Sequence, residues 1–507
     1  MSAVPPLAAT PVPFPEVWPA AGELVALRTT YLGWNAWLLG NEYVRLVAVP
    51  DIGGRIVALE LRGAPNAEAD LDADAAGDAA DHNFIWMDPQ LAGKLFSHEE
   101  NQGDGSLGAW KNYGGDKTWP APQGWERDDQ WHGPPDAVLD TGRYRVDDFG
   151  IKGNGNGAGN GAGNGTGNGA GKGAGNGTGT AGSRVARLRM VSPPDPRTGI
   201  QISRCFSLSP GATRIELLLT FHNASLNPVR WSIWDVIQLN AQRAVSEDEA
   251  AASGSAVGGF DYDPTCVVTA PVAPAPEDGD PPYHVMFGAP DNPQWSVEDG
   301  LFLARYQWKI GKVGIRSPGG WVAFNQGSRS ATFVERFAVD PAGVYPDGGA
   351  TVECWTVGEG AVGNLSYEGS GIYHMEAEVL SPLHTMAPGQ EARFAMTWGL
   401  CRCAGAVLHA EDGGCSVQRL SATRTGTEVR LQGRFGLFEQ GRLEVEWIDA
   451  HSRRVGGRPL DCSGEPLHEL ELDVTLTAPP TATDAEIWLR SAGTSRRLDG
   501  CRLPAAP

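Results

Sequence analysis

His374, Glu376 and Glu378 alternate with apolar residues in Gly371-Ile-Tyr-His-Met-Glu-Ala-Glu-Val-Leu380. In an extended strand, alternate side chains share a face, so an imidazole and two carboxylates would stand together. Like charges at that spacing raise at least one pKa, which a general base near neutral pH requires. The same pattern also fits a solvent-facing edge strand, where the three groups would only be hydrated. A second stretch, 108–136, sets Trp110, Trp119, Trp125 and Trp131 among Lys111, Asn112, Asp116, Lys117, Glu126, Arg127 and His132. Its glycines and prolines exclude a long helix and its polarity argues against a buried strand, so a loop is expected. Flat apolar faces beside hydrogen-bonding groups suit a ligand that is half apolar and half hydroxyl, such as a sugar ring. In the alternative, the tryptophans cap the end of a β-sandwich and bind nothing.

A sheet must position these residues. The chain has 507 residues with 67 Gly, 37 Pro and few helical periodicities, which predicts an all-β protein of two or three domains. Residues 43–49 and 55–61 read as strands about the turn Asp51-Ile-Gly-Gly54. Residues 62–82 read as an acidic loop insertion, and 153–182 as a flexible Gly/Asn-rich insertion between the two strands of a hairpin. Residues 215–221 alternate, 223–228 turn, and 229–239 run back. The turn-rich stretch 241–300 reads as long surface loops. The expected organisation is an extended arm at 1–22, a main domain at 23–402 and a small C-terminal β-sandwich at 408–507.

Three segments, in chain order, resemble the galactose-mutarotase-like superfamily. PDIGGRIVALEL at 50–61 resembles its opening strands, FHNASLNPVRWSIWDVIQL at 221–239 its central strand pair, and MEAEVLSPLHTMAPGQEARFAMTWGL at 375–400 its closing strands. NFIWMDPQL, WKNYGGDKTWPAPQGW and PPDAVLDTG look closest to an uncharacterised bacterial branch of the superfamily. The resemblance covers about residues 23–402 and implies a β-supersandwich with a sugar-binding cleft across one face of a large antiparallel sheet. It also implies aldose 1-epimerase-like chemistry, in which a Glu takes the proton of the anomeric hydroxyl and a His protonates the ring oxygen. By its place in the strand, the Glu carries over to Glu378, with Glu376 the alternative if the register slips. The His should fall in 230–239, where this chain has Trp234-Asp235-Val-Ile-Gln238 and no His. Asp235 could replace it only with a strongly raised pKa, while Gln238 could bind a hydroxyl. His132-Gly133 resembles the family's His-Gly pair superficially.

Arg55, after the Gly-Gly turn, is the first candidate for a hydroxyl or carboxylate clamp, and Lys117 the next. Either could instead be a surface ion pair. Asn112 would add a hydrogen bond, and Trp119 and Trp125 stacking faces. The net charge of −21 argues against nucleic acid and anionic membranes as partners. No apolar run is long enough to span a bilayer, and prolines interrupt the N-terminal apolar residues, so a cytoplasmic protein is expected. Cys401 and Cys403 form a CxC with Cys415 nearby. Zinc would need better spacing and a fourth ligand, for which His409 is the candidate, so no metal and no cofactor are expected. The expected partner is a mono- or oligosaccharide, and nothing in the sequence fixes an oligomeric state. The protein would be an epimerase or another carbohydrate-active enzyme, a non-catalytic glycan-recognition module, or a purely structural β-protein.

Overall fold

The computed structural model describes residues 12–63, 82–123, 133–153, 184–274, 281–491 and 493–505. Trp125, Trp131, His132 and most of the two insertions lie outside the described residues. The fold is all-β. Strands from Leu24 to Arg402 build a twelve-stranded and a ten-stranded antiparallel sheet, and strands from His409 to Arg502 build two four-stranded sheets. The centre of the twelve-stranded sheet runs Arg55–Leu61, Asp116–Ala121, Val229–Asn240, His374–Leu380, Val352–Thr356, Gly311–Ile315. One apolar core joins it to the ten-stranded sheet through residues such as Ile237, Leu239, Ala377, Phe206, Phe333 and Trp398. A separate core fills the C-terminal sandwich.

Three local expectations need correction. The polar 108–136 stretch contains a six-residue strand, Asp116–Ala121, that is buried throughout. Its charged residues are tolerated there because each meets a charge from another strand, as described below. The turn at 223–228 does not close a hairpin. Ile215–Asn223 belongs to the ten-stranded sheet and Val229–Asn240 to the twelve-stranded one, so the turn carries the chain from one layer to the other. Residues 241–300 also contribute sheet: Cys266–Pro271 is a paired strand inside the ten-stranded sheet, and Tyr283–Gly288 and Trp295–Glu298 are edge strands. Short strands between turn-forming residues leave little periodicity in the sequence. Among the described residues, no helix is long and apolar enough to cross a membrane.

Candidate functional site

The strand His374–Leu380 is central and fully buried, not a solvated edge. Residues directly opposite one another on paired strands point to the same face. Gln238 lies opposite Glu376, Val236 opposite both Glu378 and Lys117, and Trp234 opposite Trp119. On the other side, Glu353 lies opposite Glu378, Trp355 opposite Glu376, and Lys312 opposite Trp355. One face of five adjacent strands therefore carries Lys117, Trp119, Trp234, Gln238, His374, Glu376, Glu378, Glu353, Trp355 and Lys312.

Two polar groupings divide this face. In the first, Lys312 Nζ lies 2.9 Å from Glu378 Oε2 and 2.7 Å from Glu353 Oε2, and the Trp234 indole donates to Glu378 Oε2 at 2.8 Å. Burial alone would lower the Lys312 pKa, but the two glutamates outweigh it and hold the ammonium above its ordinary value. One ammonium neutralises one carboxylate, and burial pushes the Glu353 carboxyl well up. In the second grouping, Gln238 Nε2 donates to Glu376 Oε1 at 2.5 Å, and Lys117 Nζ lies 3.8 Å from the same oxygen. Burial, with Glu378 adding to it, raises Glu376 to about 7. Burial, with Arg55 adding to it, lowers Lys117 to about 8. Burial and Lys117 also push His374 well down, so its imidazole is neutral; the ring lies 4.6 Å from the Trp86 ring. Glu376, at 8% exposure, is the most accessible of the two groupings' carboxylates.

The structure thus brings together Lys117, Trp119, Gln238, His374, Glu376 and Glu378. Trp119 is not an open platform. It is buried between Trp110 and Trp234, at ring distances of 6.1 and 5.6 Å, and forms the floor of the face. Asn112 is half-buried, and its side chain accepts from the Gly114 amide at 3.1 Å. Arg55 is no ligand clamp. Its guanidinium binds the Asp140 carboxylate and the Gly114 carbonyl, tying Ala137–Thr141 to the sheet.

Asp235 also needs correction, because it stands on the opposite face. Thr118 donates to it at 2.6 Å, and it shares the single guanidinium of Arg204 with Asp116 between the two sheets. It cannot serve as the acid partner of Glu378. Burial, reinforced by Asp116, raises it from 3.8 to about 8. The folded state therefore keeps a proton that the unfolded chain releases near pH 4. The resulting stabilisation is full below about pH 4 and is lost as pH rises towards 8. Asp235→Asn, which mimics the protonated acid, is expected to fold and to flatten the fall in stability across that window, as measured by urea unfolding at a series of pH values.

Lys312, Glu353, Trp355 and Trp234 are members of the face that sequence reasoning did not single out. The alternation in Thr351-Val-Glu-Cys-Trp-Thr356, with Glu353 and Trp355 in phase inside an apolar run, carried the signal.

The architecture is a two-sheet β-sandwich with a buried polar face on its larger sheet. No family model and no curated protein matches the chain. Among solved structures, the chain is similar to a galactose mutarotase-like protein from Clostridium acetobutylicum, at 10% identity and a TM-score of 0.41, over 75% of this chain and 99% of that one. It is also similar to a galactose mutarotase related enzyme from Lactobacillus acidophilus, at 9% identity and a TM-score of 0.34, over 73% and 98%. A TPR-domain containing protein from Parabacteroides distasonis is similar at 11% identity and a TM-score of 0.38 over 72% of this chain, which spans 46% of that longer protein.

Proposed function

We propose that the protein binds a carbohydrate on the face of the larger sheet formed by Lys117, Gln238, His374 and Glu376. The observation that carries this reading is a set of buried polar atoms with no hydrogen-bond partner among the described residues: both ring nitrogens of His374, Gln238 Oε1, Lys117 Nζ, Trp119 Nε1 and Glu378 Oε1. A buried polar group left unmet costs about 1–3 kcal/mol, so six gathered on one face call for a ligand. The set mixes donors and acceptors, which suits hydroxyl groups that do both. Trp110 and Trp355, each partly exposed beside these atoms, offer apolar faces to the C–H side of a sugar ring.

Proton NMR on a panel of aldoses and uronic acids tests the reading. Saturation transfer to at least one sugar is expected. Trp110→Ala should weaken that binding by about tenfold, the loss of a modest aromatic contact, while leaving the protein folded. Silence across monosaccharides and their oligomers would sink the proposal.

The Glu376–Lys117 pair favours a second reading, in which the protein also interconverts the anomers of the bound sugar, taking the proton of the anomeric hydroxyl and giving one to the ring oxygen. A carboxyl at about 7 beside an ammonium at about 8 can accept and donate a proton near neutral pH. Glu376 suits this role better than Glu378, whose Oε2 is held by both Lys312 and Trp234.

A further inference from the structure

Three cysteines meet where the two domains join. Cys401 is the penultimate residue of the strand Glu391–Arg402 of the main domain, Cys403 follows that strand, and Cys415 lies in the strand Gly414–Thr425 of the C-terminal domain. Their sulfurs are 3.8 Å (Cys401 to Cys403), 3.6 Å (Cys401 to Cys415) and 3.8 Å (Cys403 to Cys415) apart. All three are buried, and all are free thiols. A circle through sulfurs at these separations has a radius of about 2.2 Å, against ~2.3 Å for a zinc–thiolate bond and within the ±0.2 Å by which a metal site is judged.

The surroundings keep the triangle in place. The Cys403 carbonyl accepts from Asn325 Nδ2 at 2.9 Å and from the Thr332 hydroxyl at 3.1 Å, and that hydroxyl lies 3.2 Å from Cys403 Sγ. Hydrogen bonds of this second layer orient thiolate ligands and tune them. Gly436 lies directly opposite Cys415, and a Cβ built on it would run into the sulfurs of Cys401 and Cys403. Only glycine there leaves the sulfurs their positions. His409, the fourth ligand considered from the sequence, instead places its Nε2 3.2 Å from Glu411 Oε1. Among the described residues, no other His, Cys, Asp or Glu joins the group.

We propose that Cys401, Cys403 and Cys415 form a three-thiolate site for one thiophilic metal ion, Cu(I) or Zn(II), that clamps the C-terminal domain to the main domain. Three thiolates in a buried cluster select soft closed-shell ions. Cu(I) is satisfied by the three sulfurs alone, whereas Zn(II) would complete its shell with a water. Binding displaces the thiol protons and involves no change of oxidation state.

The test uses the full chain, purified anaerobically in a phosphine reductant and reconstituted separately with Zn(II) and with Cu(I). Elemental analysis after gel filtration should give one ion per chain, and competition between the two ions shows which of them the three sulfurs hold more tightly. Co(II) substitution should give an intense thiolate-to-metal charge-transfer band, a readout that needs no variant. Cys415→Ser should abolish binding, Thr332→Val should weaken it ~10–100-fold, and Cys462→Ser, a thiol elsewhere in the C-terminal domain, should leave it intact. Chelation should lower the melting temperature of the wild type but not that of Cys415→Ser. Folded wild-type protein that retains no ion from either arm, or a Cys415→Ser variant that retains a full equivalent, would overturn the proposal.

Discussion

Lys312→Met is expected to destabilise the protein by about 3–5 kcal/mol, the cost of leaving a buried ionic group without its partner. Lys312 contacts Glu353 and Glu378 at 2.7 and 2.9 Å, and none of the three side chains is more than 3% exposed. Methionine fills the aliphatic volume, so the loss is electrostatic and not a cavity effect. The pH dependence identifies the cause. Without the ammonium, nothing offsets the burial that already pushes the Glu353 carboxyl well up in the folded state, while the unfolded chain leaves it at its ordinary value. The deficit should therefore be greatest at high pH and shrink on acidification, because the folded state then holds the protons that relieve it. The double variant Lys312→Met/Glu378→Gln should recover much of the loss, since the neutral amide still accepts from the Trp234 indole. Urea unfolding between acid and mildly alkaline pH measures all of this. A deficit under about 1 kcal/mol, flat with pH, would mean that water reaches the trio and screens it.

The same trio marks the limit of what the sequence discloses. His374, Glu376 and Glu378 share a face because a strand has a period of two, and that much follows from one segment alone. Glu353 belongs to the strand paired with 374–380 and Lys312 to the next strand out, and both placements depend on chain pairing at long range. Asp235 shows the same limit more finely. Within its strand, Trp234 and Gln238 face one way and Asp235 the other, which is legible. That the Trp234 side meets Glu378 follows only from the register that sets Val236 opposite it. The Asp116–Ala121 strand was hidden by its charges, which look solvated until Arg204 arrives from the other sheet to bind Asp116, and Glu376, two strands away in the same sheet, faces Lys117. The cysteine triangle was hidden by its spacing. The short strand His409–Glu411 pairs with Gly414–Thr425 and brings Cys415 back onto the CxC.

Glu376→Gln should reduce any catalysed exchange between sugar anomers by about 10²–10⁴-fold, the usual contribution of a positioned general base. Binding should change far less. Gln keeps the size of the side chain, and Gln238 can turn its amide to remain bonded to it. The wild-type rate should follow a bell. As a base, Glu376 must be ionised, so the rate rises as pH increases through about 7. As the acid that protonates the ring oxygen, Lys117 must be protonated, so the rate falls as pH increases through about 8. The two groups interact across 3.8 Å, so the limbs belong to the pair and not to either residue alone. In Glu376→Gln the acidic limb should vanish from whatever rate remains. Glu378→Gln distinguishes a structural carboxylate from a reacting one: it should lower stability through Lys312 while keeping both limbs of the bell, the acidic limb moved to lower pH because the Glu378 charge no longer raises Glu376. Saturation-transfer and anomer-exchange NMR on the same samples separates the outcomes. If Glu378→Gln removes exchange and Glu376→Gln spares it, the roles of the two glutamates are reversed. If both spare binding and neither wild type nor variant exchanges anomers, the face recognises a sugar without turning it over.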